Sequence, residues 1–102
     1  MSKRFVPTES SSLRPSKDVT AREFDGECVL LDLASGKYFG LDEVGGRMWH
    51  LLSRGLTLGE IPCELTKEFD VDSARALADT LAFADVLVSG GLMEERLPGQ
   101  AG

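Results

Sequence analysis

The stretch Cys28-Val29-Leu30-Leu31-Asp32-Leu33-Ala34-Ser35-Gly36-Lys37-Tyr38-Phe39-Gly40-Leu41 constrains this chain more than any other. Two apolar runs flank Ala34-Ser35-Gly36, a short connection whose glycine can take positive φ without a Cβ penalty. That pattern predicts a β-hairpin. Beyond Leu41 the periodicity turns helical, and no convincing strand returns until the extreme C-terminus. The strand over 37–41 is therefore expected at the rim of its sheet, with backbone N–H and C=O groups left open on one side. Such a rim is either an aggregation hazard or a docking site, and the rest of the chain has to decide between them.

Composition narrows the choice. With 102 residues, 42% of them hydrophobic, the chain can bury one modest core in a single domain. Its net charge of −6 argues against general affinity for nucleic acid or anionic membranes. No apolar run approaches the ~20 residues of a membrane-spanning helix. Met-Ser-Lys-Arg-Phe-Val-Pro-Thr-Glu begins with two basic residues but no apolar stretch after them, so no secretory signal is expected. Cys28 and Cys63 lie in no CxxC motif and have no histidine at metal spacing. They read as reduced thiols of a cytoplasmic protein.

Along the chain, residues 1–17 hold Pro7, Pro15 and the polar run Glu9-Ser10-Ser11-Ser12, and read as a flexible arm able to drape over the domain by Phe5 or Leu13. Residues 18–93 form the expected domain and 94–102 a flexible tail. A first strand over 19–24 closes at the turn Asp25-Gly26. In the second, over 28–33, Val29, Leu31 and Leu33 are expected on the core face, opposite Cys28, Leu30 and Asp32. Phe39 and Leu41 of the third strand would join that core face. Asp42 is a candidate N-cap for a helix over 43–53 that Gly55 closes. Val44, Met48, Leu51 and Leu52 form its apolar stripe, with Trp49 at the side. Gly45-Gly46 in its first turns suggests either close approach to another backbone or tolerance near a helix start. Thr57-Leu58-Gly59-Glu60 matches a capping box for a second helix ending near Phe69, although Pro62 allows a later start. Asp72 caps a third helix to about Ser89, stopped by Gly90-Gly91, with Leu77, Leu81, Ala84 and Val88 as its apolar stripe, widened by Ala74, Leu87 and Phe83. The opposite arc carries Arg75, Ala78, Asp79, Ala82, Asp85 and Val86. The fold class expected is α+β and winged helix-turn-helix-like: a three-stranded antiparallel sheet followed by three helices.

The search for chemistry finds little. His50, the single histidine, has no nucleophile or paired carboxylate beside it in sequence. The acidic residues are spread over helix faces and ends, as solvated charge. Ser10-Ser11-Ser12 lies in the arm, and the glycines make neither GxxxxGK[ST] nor GxGxxG. No catalytic residue, metal site or cofactor is expected. A winged-helix layout suggests DNA, but the third helix sets one basic residue, Arg75, against Asp72, Asp79 and Asp85, and would repel phosphates.

These residues resemble a known family. The pattern runs from Leu30-Leu31-Asp32 through Ser35-Gly36-Lys37-Tyr38-Phe39-Gly40-Leu41-Asp42 to Gly45-Gly46 and Met48-Trp49-His50-Leu51-Leu52. It is similar to the PqqD family, and most to the stand-alone leader-recognition proteins of lasso-peptide biosynthesis. The likeness covers about residues 19–93. Asp42 stands where the family usually has Asn, which keeps the capping chemistry. The "PEG" stretch of the quinone-cofactor branch is missing between the second and third strands.

The resemblance implies a non-catalytic element that binds the leader of a ribosomally made precursor peptide, as an added antiparallel strand on strand three beside helix three. It also implies a separate leader peptidase as partner, with the cyclase as a further option. On this reading Lys37, Tyr38, Phe39, Gly40 and Leu41 supply the ladder, and Ala78 and Ala82 leave a groove rimmed by Arg75, Asp79 and Val86. Leu31, Phe39 and Trp49 are assigned to the core rather than to a pocket floor. Two alternatives stay open: a peptide chaperone of quinone-cofactor synthesis working with a radical SAM enzyme, and a winged-helix DNA-binding or adaptor protein. A homodimer paired through the open rim also stays open.

Overall fold

A computed structural model describes residues 5–25 and 27–96. Its elements in chain order are β1 (Leu13–Pro15), β2 (Val19–Phe24), β3 (Glu27–Asp32), β4 (Lys37–Leu41), α1 (Glu43–Ser53), α2 (Ile61–Glu68), α3 (Ser73–Ser89) and β5 (Met93–Glu95). β2, β3 and β4 form an antiparallel meander in that order, and β1 pairs with β5 in a separate two-stranded ladder. The molecule is thus a mixed α+β fold in which the larger sheet precedes three helices.

Local chemistry accounts for the boundaries. Phe24 faces Glu27 directly, leaving a two-residue turn. Asp25 takes φ +50 there, a left-handed conformation that aspartate tolerates. Gly26, the other half of that expected turn, lies outside the described residues. At the β3–β4 turn the Asp32 carboxylate accepts from the Ala34 N–H at 3.1 Å and the Ser35 hydroxyl at 3.0 Å. Gly36 then turns the chain back at φ +76. Asp42 caps α1 through the Gly45 N–H at 2.7 Å, and Asp72 caps α3 through the Arg75 N–H at 3.2 Å. Of the anticipated capping box only one half forms: Glu60 reaches back to the Thr57 N–H at 2.8 Å. The second helix starts at Ile61, because Pro62 is best accommodated in a first turn.

The core gathers Leu30, Met48, Trp49, Leu51, Leu52, Leu58, Ile61, Leu65 and Leu87 between the inner face of the sheet and the helices. The face expected of β3 is inverted. Cys28 and Leu30 are buried opposite Leu41 and Phe39, while Val29 and Leu31 are half-buried on the outer face. Leu33 falls in the turn and is exposed. Gly46 explains the inversion: a Cβ there would meet Cys28 Cβ at 2.9 Å. α1 therefore lies directly on the Cys28 side of the strand, and the small side chain is the one that fits. Gly46 makes a close approach, to a side chain rather than a backbone. Phe39, expected in the core, is 40% exposed.

The N-terminal segment packs on the domain through Phe5 and Leu13 as expected, and from Thr8 onward it is tied in by backbone hydrogen bonds rather than loosely draped. Leu13 is fully buried, Leu58 N–H donates to Ser11 O at 2.9 Å and Arg96 N–H to Ser12 O at 2.7 Å. β1 and β5 exist because each completes the other's backbone hydrogen bonds over the buried Leu13 and Met93. The expected tail is likewise a strand as far as Glu95; residues 97–102, and 1–4 of the arm, lie outside the described residues.

Candidate functional site

β4 has one neighbour, β3, so its other margin is open among the described residues. In an antiparallel ladder alternate residues turn both backbone groups toward the partner strand and the intervening ones turn both away. A five-residue strand thus offers about four outward donors and acceptors. Lys37, Tyr38, Phe39 and Gly40 are exposed and Leu41 is half-buried. Register puts Phe39 and Leu41 on the inner face with Leu30 and Cys28, and Tyr38 and Gly40 on the outer face with Leu31 and Val29.

Beside this margin α3 packs mainly on α2 and β5 rather than on β4. The gap is a cleft of about 400 Å3 lined by Gly40, Leu41, Asp42, Val44, Gly45, Met48, Asp79 and Phe83. Its floor is apolar. Its two charged groups are both carboxylates, and Asp42 is already committed to the Gly45 N–H. Asp79 Oδ2 lies 3.5 Å from Arg75 Nε, an exposed pair of little strength.

The α3 residues expected around the groove are not brought together. Asp79 lines the cleft with β4, and Arg75 lies next to it, in a depression with Asp70, Val71 and Asp72. Ala82 lines a different cleft, of about 580 Å3, with Phe5, Val6, Pro7, Leu81 and Asp85. Ala78 and Val86 are exposed. The reason is the helix's rotation. Its buried residues are Ala76, Thr80, Ala84 and Leu87, so Ala84 and Leu87 of the expected apolar face are buried while Leu77, Leu81 and Val88 are only half-buried. Thr80 is fully buried because its hydroxyl donates to Ala76 O at 2.7 Å, which removes the cost of burying it. That rotation carries Phe83, missed as a site residue, toward β4. Val44 and Met48, counted as core, also line the cleft; one helical turn separates them on α1.

β2 is the sheet's other edge, but its flank differs. There Glu23, Glu27, Glu43 and Glu68 surround a smaller cleft of about 240 Å3 with Arg47 and His50. Burial and the nearby Glu23 push the Cys28 thiol up, so it is a poor nucleophile. Among the described residues no group of three His, Cys, Asp or Glu side chains is placed to hold a metal ion, and no helix is long and apolar enough to cross a membrane.

Comparison with known proteins adds to this geometry. The family model described as coenzyme PQQ synthesis protein D (PqqD) matches residues 27–93. A solved structure described as TbiB1 in complex with the TbiA(beta) leader peptide is 37% identical, covers 87% of this chain and 99% of its own, and superposes with a TM-score of 0.73. Another, lasso peptide synthetase B1 complexed with the leader peptide, is 25% identical over 81% of this chain and 98% of its own, with a TM-score of 0.75. No curated protein matches the chain significantly.

Proposed function

This chain belongs to the PqqD family, and on that footing we propose that it is a non-catalytic binder of a precursor peptide's leader in lasso-peptide maturation. The leader would add as an antiparallel strand to β4 and press side chains into the cleft between β4, α1 and α3. One observation carries the reading: the open margin of Lys37–Leu41 runs beside an apolar-floored cleft. The two leader-bound neighbours support the same assignment.

Magnitudes decide what each part contributes. About four backbone hydrogen bonds at ~1 kcal/mol net each fall well short of the about −12 kcal/mol of nanomolar binding. Two or three leader side chains, each giving roughly 1.5–3 kcal/mol on burial, add about as much as the ladder or more before the cost of ordering the peptide, so the anchors rather than the ladder set the affinity. Phe39, Leu41, Val44, Met48 and Phe83 are the surfaces such anchors would meet. Asp79 and Arg75 stand at the rim, Val86 farther along the helix, and Ala78 and Ala82 outside the contact. The winged-helix-like character of the fold belongs to this proposal too, with β3 and β4 as the wing. So does the handing of the leader to a separate peptidase or cyclase in the cytoplasm.

The description of the matching family model favours a second reading, a peptide chaperone of quinone-cofactor synthesis. The genes beside this one separate the two, as a short precursor with a peptidase and cyclase fits only the first. The direct test is titration with the synthetic leader of that precursor, followed by backbone amide shifts. Shifts concentrated at Lys37–Leu41, Asp79 and Phe83 are expected. No shift at micromolar peptide would remove the proposal, and shifts along β2 would move the site to the opposite edge.

A further inference from the structure

Resting on the leader-binding reading, we infer that the peptide accepted by this cleft pairs an apolar anchor with a neighbouring lysine or arginine, and that Asp79 is the residue that reads the cation. An added strand alternates its side chains, so every second residue points to the inner face shared by Phe39 and Leu41. Those inward side chains enter a cleft whose walls are Leu41, Val44, Met48 and Phe83. Among the described residues no cation lines that cleft, and two carboxylates do. Asp42 holds the end of α1 through the Gly45 N–H at 2.7 Å, which ties its carboxylate to the fold. Asp79 pairs, among the described residues, with the exposed Arg75 at 3.5 Å, and can exchange that partner for one on the peptide. Around it Asp70 and Asp72 add negative potential, and the whole chain carries −6. An acidic peptide residue at this place would face Asp79 and its acidic neighbours Asp70 and Asp72, offset among the lining residues by the exposed Arg75 alone, so the discrimination comes from repulsion as well as attraction.

The probe is a display library of random extended peptides selected on the intact protein, with winners checked by amide shifts at Lys37–Leu41. Enrichment of Lys or Arg at a fixed offset from an apolar residue is expected. Replacing that cation by a neutral residue should weaken binding by about twofold to fivefold at low salt, the range of an exposed ion pair, and less in concentrated salt. Asp79→Lys should turn the preference toward Asp or Glu at the same offset. Arg75→Ala, which removes the competing cation, should sharpen the preference for a basic residue. Both positions are exposed on the helix surface, so both variants are expected to fold. Peptides that shift the β4 amides with no charge preference, or with one that Asp79→Lys leaves unchanged, overturn this inference and leave leader binding standing. A selection yielding no peptide that shifts those amides overturns leader binding, and this inference with it.

Discussion

Ala82 and Phe83 are adjacent in sequence yet line separate clefts, so substituting each in turn locates the binding groove. Phe83 is half-buried, packs against the core and forms a wall of the cleft beside β4. Complete truncation of a core phenylalanine costs 3–5 kcal/mol, and for a half-buried ring Phe83→Ala should lower stability by about half of that. Fully burying a large apolar side chain contributes roughly 1.5–3 kcal/mol. Because Phe83 shares the cleft with Val44 and Met48, its share of one anchor's contact is ~1 kcal/mol, or about a fivefold rise in Kd. Ala82→Trp adds a large ring at an exposed position beside Phe5 and Pro7, and should leave stability within about ±0.5 kcal/mol and leader affinity unchanged. The assay is a fluorescence-anisotropy titration of a labelled leader peptide, run where circular dichroism shows each variant folded. If Ala82→Trp weakens binding as much as Phe83→Ala, the peptide lies on the other flank of α3 and the reasoning from helix rotation fails.

Five further outcomes follow from the packing. Gly46→Ala should raise helix propensity by ~1 kcal/mol but drive a methyl against Cys28 Cβ, where overpacking costs about 1–3 kcal/mol, so a net loss in thermal stability is expected; a more stable variant would show that α1 shifts freely on β3. Leu13→Ala should cost about 2–5 kcal/mol in urea unfolding, as for any fully buried leucine, whereas a loose arm would lose almost nothing. Asp42→Ala should lower stability by ~1 kcal/mol through loss of the α1 cap, measured by the same unfolding. The Cys28 thiol is held above its ordinary value of 9.0 by burial and by Glu23. The folded state therefore keeps that proton longer than the unfolded chain, and this stabilising contribution, complete below pH 9, should fade as pH rises past 9. Cys63, being exposed, should be alkylated first, and faster labelling of Cys28 would contradict its buried position.

What could be read from the sequence was what short-range chemistry fixes. The turn at Ser35-Gly36, the caps Asp42 and Asp72 and the stops at Gly55 and Gly90-Gly91 are decided within a few residues, and the helices α1 and α3 occupy their expected ranges. The open margin of β4 followed from the absence of a later strand to cover it. Facing was harder to read. In β3 every residue from Cys28 to Leu31 is apolar, so alternation carried no signal, and the fit of Cys28 under Gly46 chose the side. In α3 a threonine went inward because its hydroxyl satisfies itself on the preceding turn, and the candidate groove on that helix was displaced with it. The β1–β5 ladder was the least legible. Two strands of three residues carry almost no periodicity, and their pairing depends on a buried leucine meeting a partner at the far end of the chain.

That ladder bears on where the chain can be cut. A fragment trimmed to residues 27–93 would lose β2 and β1 together, stripping β3 of one neighbour and leaving Met93 unsheltered. The naked flank of β3 would then compete with β4 for any extended strand, and for other copies of the fragment. A minimal unit that keeps one vacant seat instead of two has to retain the chain from about Thr8 through Arg96.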